Sequence, residues 1–275
     1  MGTQRVSSVP MHPILFEIGG FSIHSYGALA AVGFLIVAVV GINRSTRLGL
    51  TSEQVADFVL VTCVVSLLGS RLLYVWQNPE MVETTFDILN FRKGGLVFYG
   101  ALVSGIPFGI AFMRWRQMPI LPIWDAFATM MPLGHAISRV GCIAAGCCWG
   151  IPFDGSWAVT YTDEMSVAPL NQAVHPVQLY EASLLVLVSI ACNLVYFRRR
   201  FDGQVLATYL CLYAFVRMFT ETYRGDAARG LFMPEVFGDL LSYSQGVSLG
   251  VLAVGLLIGG LGWRSGTLSP EVDPT

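Results

Sequence analysis

Long apolar stretches constrain the fold of this chain more than any other feature of its sequence. A helix needs about 20 apolar residues to cross the hydrocarbon core of a bilayer. Only 12% of the 275 residues are charged and 54% are hydrophobic, whereas soluble domains carry about 25% charged residues. The sequence therefore predicts an all-α membrane protein with about seven transmembrane helices, at 21–42, 56–76, 95–114, 121–141, 178–197, 204–222 and 243–262.

Two segments between these stretches are long enough to form structure of their own. Residues 77–94 look amphipathic and predict an arm that lies along the membrane interface. Residues 150–177 include "GSWAVTYT", in which alternation and aromatic and β-branched residues predict a short strand in a small extracytoplasmic cap. The sequence shows no internal repeat, and we expect residues 1–275 to form a single polytopic domain.

The basic residues of the loops predict the orientation, because cytoplasmic loops are enriched in Lys and Arg. The loops after the first, third and fifth stretches and the C-terminal tail hold Arg44, Arg47, Arg114, Arg116, Arg198, Arg199, Arg200 and Arg264. The opposite side holds the smaller set of Arg5, Arg92, Lys93, Arg224 and Arg229. We therefore expect a bacterial cytoplasmic (inner) membrane protein with its N-terminus outside and its C-terminus inside. The N-terminal segment lacks a basic region and a cleavage site, which predicts no cleaved signal peptide.

Few ionisable residues fall inside the apolar stretches, and such residues usually face the bundle interior and mark function. They are Arg71, Asp125, Arg139, Glu181, Arg217 and Glu221. Arg217 and Glu221 are four residues apart and share one helix face, to which Tyr213 and Arg224 also belong. A buried ion pair that fixes helix packing is one interpretation. The other interpretation is an anion site, because one glutamate cannot neutralise several arginines. Lipid phosphate is the anion that a membrane offers.

The stretch "SRVGCIAAGCCWG" adds three glycines and three cysteines next to Arg139. Glycines here and in "GGLVFYG" permit close approach of either a ligand or a neighbouring helix. Three interpretations of Cys142, Cys147 and Cys148 stay open: packing, a thiol whose pKa an arginine lowers, or a metal site. A zinc site would need a fourth ligand such as His135 or His175. We favour packing over the reactive thiol and over the metal site.

Several stretches between residues 12 and 262 carry a resemblance to a known family. They are "SIHSYGALAAVGF", "GGLVFYGALVSG", "SRVGCIAAGCCWG" with the following "PFDGSWAV", "HPVQLYEA" and "YAFVRMFTETYRGD". In this order the sequence resembles the prolipoprotein diacylglyceryl transferase family. The resemblance implies transfer of a diacylglyceryl group from phosphatidylglycerol to the lipobox cysteine of an exported prolipoprotein, with release of glycerol phosphate. The implied reaction requires no metal and no cofactor. The net charge of −2 independently predicts no nucleic-acid partner.

The resemblance also implies roles for particular residues of this chain. The catalytic group would be Arg139, Arg217, Glu221 and Tyr99, of which the two arginines would hold the phosphate. Tyr99 stands where many family members have histidine. The substrate would be bound by Tyr26, Arg71, Gly94, Gly95, Cys142, Cys147, His175, Gln178, Tyr180, Glu181, Tyr213 and Arg224.

This chain departs from the family within its signature motif. Cys142 stands where the family has asparagine, Cys147 where glutamate is common, and Ser138 where glycine is usual. These changes leave open a paralogue that transfers a lipid-derived group to a different acceptor. Two further hypotheses are a transporter of anionic lipid, against which the absence of repeats argues, and a structural membrane protein with an ion-paired core.

Overall fold

The structure, a computed structural model, describes residues 12–19, 21–81, 84, 86, 88, 90, 95–226 and 241–269. This part of the chain is predominantly helical. Its α-helices are α1 (Ser25–Ser45), α2 (Ser52–Gln77), α3 (Phe98–Trp115), α4 (Ile120–Ala128), α5 (Met131–Ala145), α6 (Val177–Tyr196), α7 (Gln204–Glu221) and α8 (Tyr243–Ser265). Short 3-10 helices lie at Thr46–Leu48 and Pro79–Met81.

Four helices in the described part of the chain are long and apolar enough to cross a membrane. They span Ser25–Leu48, Ser52–Gln77, Val177–Tyr196 and Tyr243–Ser265. The predicted all-α membrane fold is therefore confirmed, while the number of seven spans stays a prediction.

An antiparallel hairpin precedes the first helix. It consists of β1 (Ile14–Ile18) and β2 (Phe21–His24), with Glu17 opposite Ser22. Residues 21–24 were expected inside the first apolar span, and the structure corrects this boundary. The segment "FSIH" alternates apolar and polar residues, which is the period of a strand rather than of a helix.

The fourth predicted span, 121–141, is interrupted, and this too is a correction. Helix α4 ends at Ala128 and α5 begins at Met131. Pro132 has no N–H to continue the helical ladder. The carbonyl of Thr129 instead accepts hydrogen bonds from Ser189 Oγ at 2.8 Å and Asn193 Nδ2 at 3.1 Å. Side chains of α6 thus satisfy a backbone carbonyl at the break between the two helices.

Asp125, one of the ionisable residues in the apolar stretches, has a structural role. Its carboxylate is fully buried and accepts the backbone N–H groups of Gly203 and Leu206, both at 2.8 Å. These N–H groups lie at the start of α7, where a negative charge stabilises the unpaired donors of the first turn.

The chain divides into two compact units, residues 1–41 with 124–269 and residues 42–123 with 270–275. In the first unit, α5, α6 and α7 share a core that includes Leu185, Cys192 and Val205. In the second unit, α2 and α3 approach so closely that a Cβ at Gly100 would collide with the backbone of Gly69. The single domain over 1–275 stays a prediction.

The predicted cap strand is confirmed. Strand β3 (Val159–Thr160) pairs antiparallel with β4 (Ala173–Val174). Tyr161 is fully buried in a small core beneath them. Most of the arm predicted at 77–94 lies outside the described residues.

Candidate functional site

The end of α5 brings three thiols together. Gly146 has a φ of 64° and ends the helix, and the Cys147 N–H then donates to the Cys142 carbonyl at 3.0 Å. Cys148 also lies in the left-handed region, with a φ of 60°. As a result, the Sγ atoms of Cys142, Cys147 and Cys148, here called the three-cysteine cluster, lie within 4.8 Å of one another. All three are free thiols.

Arg139 lies one turn before this cluster and pairs with a glutamate of α6. Its Nε is 3.1 Å from Glu181 Oε2, and the glutamate side chain is only 1% exposed. His135 Nε2 lies 3.7 Å from the other oxygen of Glu181. Arg139 Nη1 approaches Cys142 Sγ at 3.9 Å. The guanidinium is therefore held between a carboxylate and a thiol.

Arg217 pairs with Glu221 on the same face of α7, with Nη2 and Oε2 2.7 Å apart. The start of α8 completes this pair, because Arg217 Nη2 also donates to Ser244 Oγ and Ser242 Oγ donates to Glu221 Oε1, both at 2.8 Å. Arg217 Nη1 is buried and has no hydrogen-bond partner in the described part of the chain. The arginine thus keeps a donor that an anion could take.

Arg224, in the turn after α7, forms a fork with Asp226, in which Nε donates to Oδ1 at 2.9 Å and Nη2 to Oδ2. Its backbone bridges to Gly150, and Gly225 N–H donates to the Trp149 carbonyl at 3.0 Å. A Cβ at Gly225 would collide with the Gly150 carbonyl. The turn that carries Arg224 therefore lies directly against the chain that follows the cysteines.

Electrostatic interactions join these groups into one cluster. His135 interacts with both Arg139 and Arg217, and Arg224 interacts with Arg139 and with Cys148. We call Arg139, Arg217 and Arg224 the arginine cluster. Their guanidiniums are suited to an oxyanion such as phosphate, which they can bind through paired N–H donors.

Gln178 fixes the cysteine turn to the cap. Its Nε2 donates to the Cys147 carbonyl at 2.6 Å and to Tyr161 Oη at 2.9 Å. Burial raises the pKa of Tyr161 to about 12, so the phenol stays neutral at physiological pH. The role of Gln178 in substrate binding stays a prediction, and its two contacts hold the cysteine turn against the cap.

An aromatic cluster surrounds His175 at the start of α6. The imidazole stacks on Phe153 with centroids 3.9 Å apart and meets Tyr223 edge-on at 5.2 Å. Its Nδ1 lies 3.0 Å from Tyr180 Oη, which also accepts from Trp157 Nε1 at 2.8 Å. Burial lowers the pKa of His175, so the ring is neutral near pH 7.

Comparison with known proteins identifies the family. A family model described as prolipoprotein diacylglyceryl transferase matches residues 13–259. The chain belongs to this family.

Relatives that match most of this transferase's length carry the name phosphatidylglycerol–prolipoprotein diacylglyceryl transferase. One from Clostridium tetani is 29% identical over 90% of this chain and 96% of the relative. One from Marinomonas sp. is 30% identical over 93% and 95% of the two chains. A protein of Clostridium perfringens with the same name and the number 2 is 26% identical over 90% and 94%. The apolar helices and bacterial relatives indicate a multi-pass bacterial membrane protein.

The structure brings most of the predicted site residues of this family member into the first unit. Tyr26 is 47% exposed, and its backbone packs against Gly141. A Cβ added at Gly141 would lie only 3.1 Å from the Cα of Tyr26. Tyr213 lies next to His135, with ring centroids 5.7 Å apart. Both tyrosines therefore border the helices that carry Arg139 and Arg217.

Three other predicted residues belong to the second unit. Arg71 is buried and donates to the backbone carbonyls of Ile88 and Gly95, at 3.0 and 3.1 Å. Gly95 has a φ of 79°, which favours glycine, and Tyr99 is 44% exposed at the start of α3. Their catalytic and binding roles stay predictions, and Gly94 lies outside the described residues.

Several members of the site were not predicted from the sequence, and its free charge was overstated. Asp226 was not predicted, and it pairs with Arg224. Glu181 was predicted as a substrate-binding residue, but its pairing with Arg139 was not, so the excess of positive charge is smaller than the sequence suggested. His135 was named only as a possible zinc ligand, although its position four residues before Arg139 places it on the same helix face. No local pattern placed Ser244 beside Arg217, since that contact joins two helices.

Proposed function

We propose that this protein transfers a diacylglyceryl group from phosphatidylglycerol to the cysteine thiol of an exported prolipoprotein and releases glycerol phosphate. The relatives that carry this name support the proposal. The observation that carries it is Arg217, whose Nη2 is fixed by Glu221 and Ser244 while the buried Nη1 has no hydrogen-bond partner among the described residues. A buried donor without a partner is costly, and a lipid phosphate oxygen would satisfy it.

Arg139 and Arg217 act on the phosphate in this mechanism. The acceptor thiolate attacks the glyceryl carbon, a carbon–sulfur bond forms, and the carbon–oxygen bond to phosphate breaks with its electron pair on oxygen. Fixed guanidiniums stabilise the charge that develops on this oxygen without reorganising. They also favour the thiolate of the acceptor, whose thiol has a pKa of about 8.5 in water. Glu181 and Glu221 orient the two arginines, and Arg224 and the tyrosines border the substrate.

The proposal also covers the nature of the acceptor and the orientation of the protein in the membrane. The acceptor carries its cysteine in a lipobox and arrives from the exported side, so the site lies in the outer half of the cytoplasmic membrane. The N-terminus is outside and the C-terminus is inside. The asymmetry of the basic loops supports this orientation.

A reconstituted assay tests the function. The purified protein is incubated in vesicles with phosphatidylglycerol labelled in its headgroup and with a lipobox peptide, and a peptide with serine in place of cysteine serves as the control. We expect labelled glycerol phosphate and a diacylglyceryl mass increase on the cysteine peptide only. Release of glycerol phosphate without a lipidated peptide would indicate a different acceptor. Absence of both products would overturn the proposal.

A further inference from the structure

We propose that Cys142, Cys147 and Cys148 bind a soft divalent cation of the zinc class and that its open fourth position takes the acceptor thiolate. The first part stands on the geometry of the cluster. The second part rests on the proposed function.

The spacing of the sulfur atoms is close to that of a metal–thiolate site. Zinc binds thiolates at about 2.3 Å, so two sulfurs of one tetrahedral site lie about 3.8 Å apart. The three Sγ atoms already lie within 4.8 Å of one another, and small side-chain rotations would close the difference. Cys142 is buried, whereas Cys147 and Cys148 are partly exposed, so an ion has access from their side.

The backbone at Cys148 is an independent observation. Its φ of 60° is unusual for any residue other than glycine, and such conformations persist only where the surroundings enforce them. Here the turn is held by the Gln178 bond to the Cys147 carbonyl and by Gly225 N–H on the Trp149 carbonyl. The strained residue is the one that supplies the third thiol.

The charges around the cluster suit an anionic metal–thiolate complex. A divalent ion with three thiolates carries one negative charge, and a fourth thiolate adds another. Arg139 Nη1 lies 3.9 Å from Cys142 Sγ, and Arg224 interacts electrostatically with Cys148. Both guanidiniums have further N–H donors beyond their carboxylate pairs, so two positive charges lie near the sulfurs.

Three protein ligands and one open position are the arrangement of catalytic rather than structural zinc sites. A thiol that coordinates a divalent ion is deprotonated. The acceptor cysteine would lose its proton to water on binding. The sulfur electron pair then forms the bond to the glyceryl carbon, and the phosphate leaves with the carbon–oxygen electron pair. No atom changes its oxidation state, so no redox partner is needed.

Metal analysis tests the site without any activity measurement. The protein is purified without oxygen, loaded with Zn²⁺, and its metal content is measured, and a Co²⁺-loaded sample is examined for a thiolate charge-transfer band. We expect one bound ion per chain and the charge-transfer band. Cys142→Ser and Cys148→Ser should lose both, whereas the remote controls Cys63→Ser and Cys211→Ser should keep them. Thermal unfolding of each variant identifies any that fail to fold, and Cys148→Ala then provides the second test.

Any one of three results would overturn the site. The first is a metal content no higher than that of the triple variant Cys142→Ser, Cys147→Ser, Cys148→Ser. The second is the lack of a charge-transfer band with Co²⁺, and the third is a disulfide between two of the three cysteines in protein isolated from cells.

The fourth-ligand role has its own readout. Addition of a lipobox peptide to the Co²⁺-loaded protein should change the visible spectrum, and the serine peptide should leave it unchanged. Full lipidation by metal-free protein would overturn this role and leave the proposed function intact. Metal binding and a spectral change without lipidation would leave the site intact and overturn the proposed function.

Discussion

Arg139 and Glu181 link α5 to α6 through an ion pair in which Arg139 Nε lies 3.1 Å from Glu181 Oε2. The carboxylate side chain is 1% exposed and that of the arginine 14%. The pair therefore neutralises part of the arginine's charge and also fixes its direction. Orientation of the remaining N–H groups, rather than an excess of charge, is what this arginine contributes to a phosphate site.

Replacement of this arginine by lysine separates orientation from charge. Arg139→Lys keeps the positive charge but loses the planar fork that can bind Glu181 and phosphate together. We expect glycerol phosphate release to fall about 100-fold, in the range observed when one fixed donor is removed from an active site. Measurement of turnover in vesicles, with thermal unfolding as the folding control, tests this. Turnover close to that of the wild type in a folded variant would contradict it.

The same pair predicts a thermodynamic coupling. Arg139→Gln or Glu181→Gln alone leaves one buried charge without its partner and should cost about 3–5 kcal/mol of stability. The double variant removes both charges and should cost clearly less than the sum of the two. Denaturant unfolding in detergent of all four proteins measures the coupling. Strictly additive losses would show that the two residues are energetically independent.

Local sequence patterns predicted the helices and most of the charged site because those signals lie within one element. Hydrophobic stretches place a helix to within a few residues, and the four-residue spacing of Arg217 and Glu221 correctly placed them together. The hairpin at Ile14–His24 and the break at Thr129–Met130 were missed, since both depend on short-range signals inside apolar sequence.

Contacts between distant segments could not be read from the sequence. Glu181 lies 42 positions after Arg139, and Ser244 lies 27 after Arg217. The three-cysteine cluster depends on two left-handed residues, Gly146 and Cys148. The glycine is a common signal for a helix end, but nothing in the spacing indicates that a cysteine adopts the same conformation.

The turn that carries Arg224 predicts a difference between two glycine substitutions. Gly225→Ala would drive a methyl group into the Gly150 carbonyl, whereas Gly250 in α8 has no neighbour within 4 Å of an added Cβ. We expect Gly225→Ala to shift Arg224 and reduce turnover about tenfold or more, a loss typical of misplaced site residues. Gly250→Ala should leave turnover unchanged. Equal activity of the two variants would show that the position of Arg224 is not critical.

The aromatic cluster around His175 predicts a loss of stability in mild acid. Burial lowers the pKa of this imidazole, so the unfolded chain, with a histidine pKa of about 6.5, takes up a proton before the folded protein does. The contribution of His175 to the free energy of unfolding should therefore be fully present above the unfolded-state pKa of about 6.5. It should decline as the pH falls from there toward the lowered pKa of the folded protein. Thermal unfolding between neutral and mildly acidic pH tests this against His175→Asn, in which the decline should be weaker. An identical pH dependence in the variant would assign the effect to other groups.

The orientation predicts which exposed positions react with a reagent that cannot cross the membrane. Met165 in the cap is 57% exposed, and Arg198 after α6 is also exposed. In spheroplasts with an intact cytoplasmic membrane, Met165→Cys should react with a charged maleimide and Arg198→Cys should not, because the basic loop lies on the cytoplasmic side. Permeabilised cells provide the control in which both positions react, and the parent protein gives the background of its native thiols. Labelling of Arg198→Cys alone would invert the topology and place the arginine cluster on the side opposite to an exported acceptor.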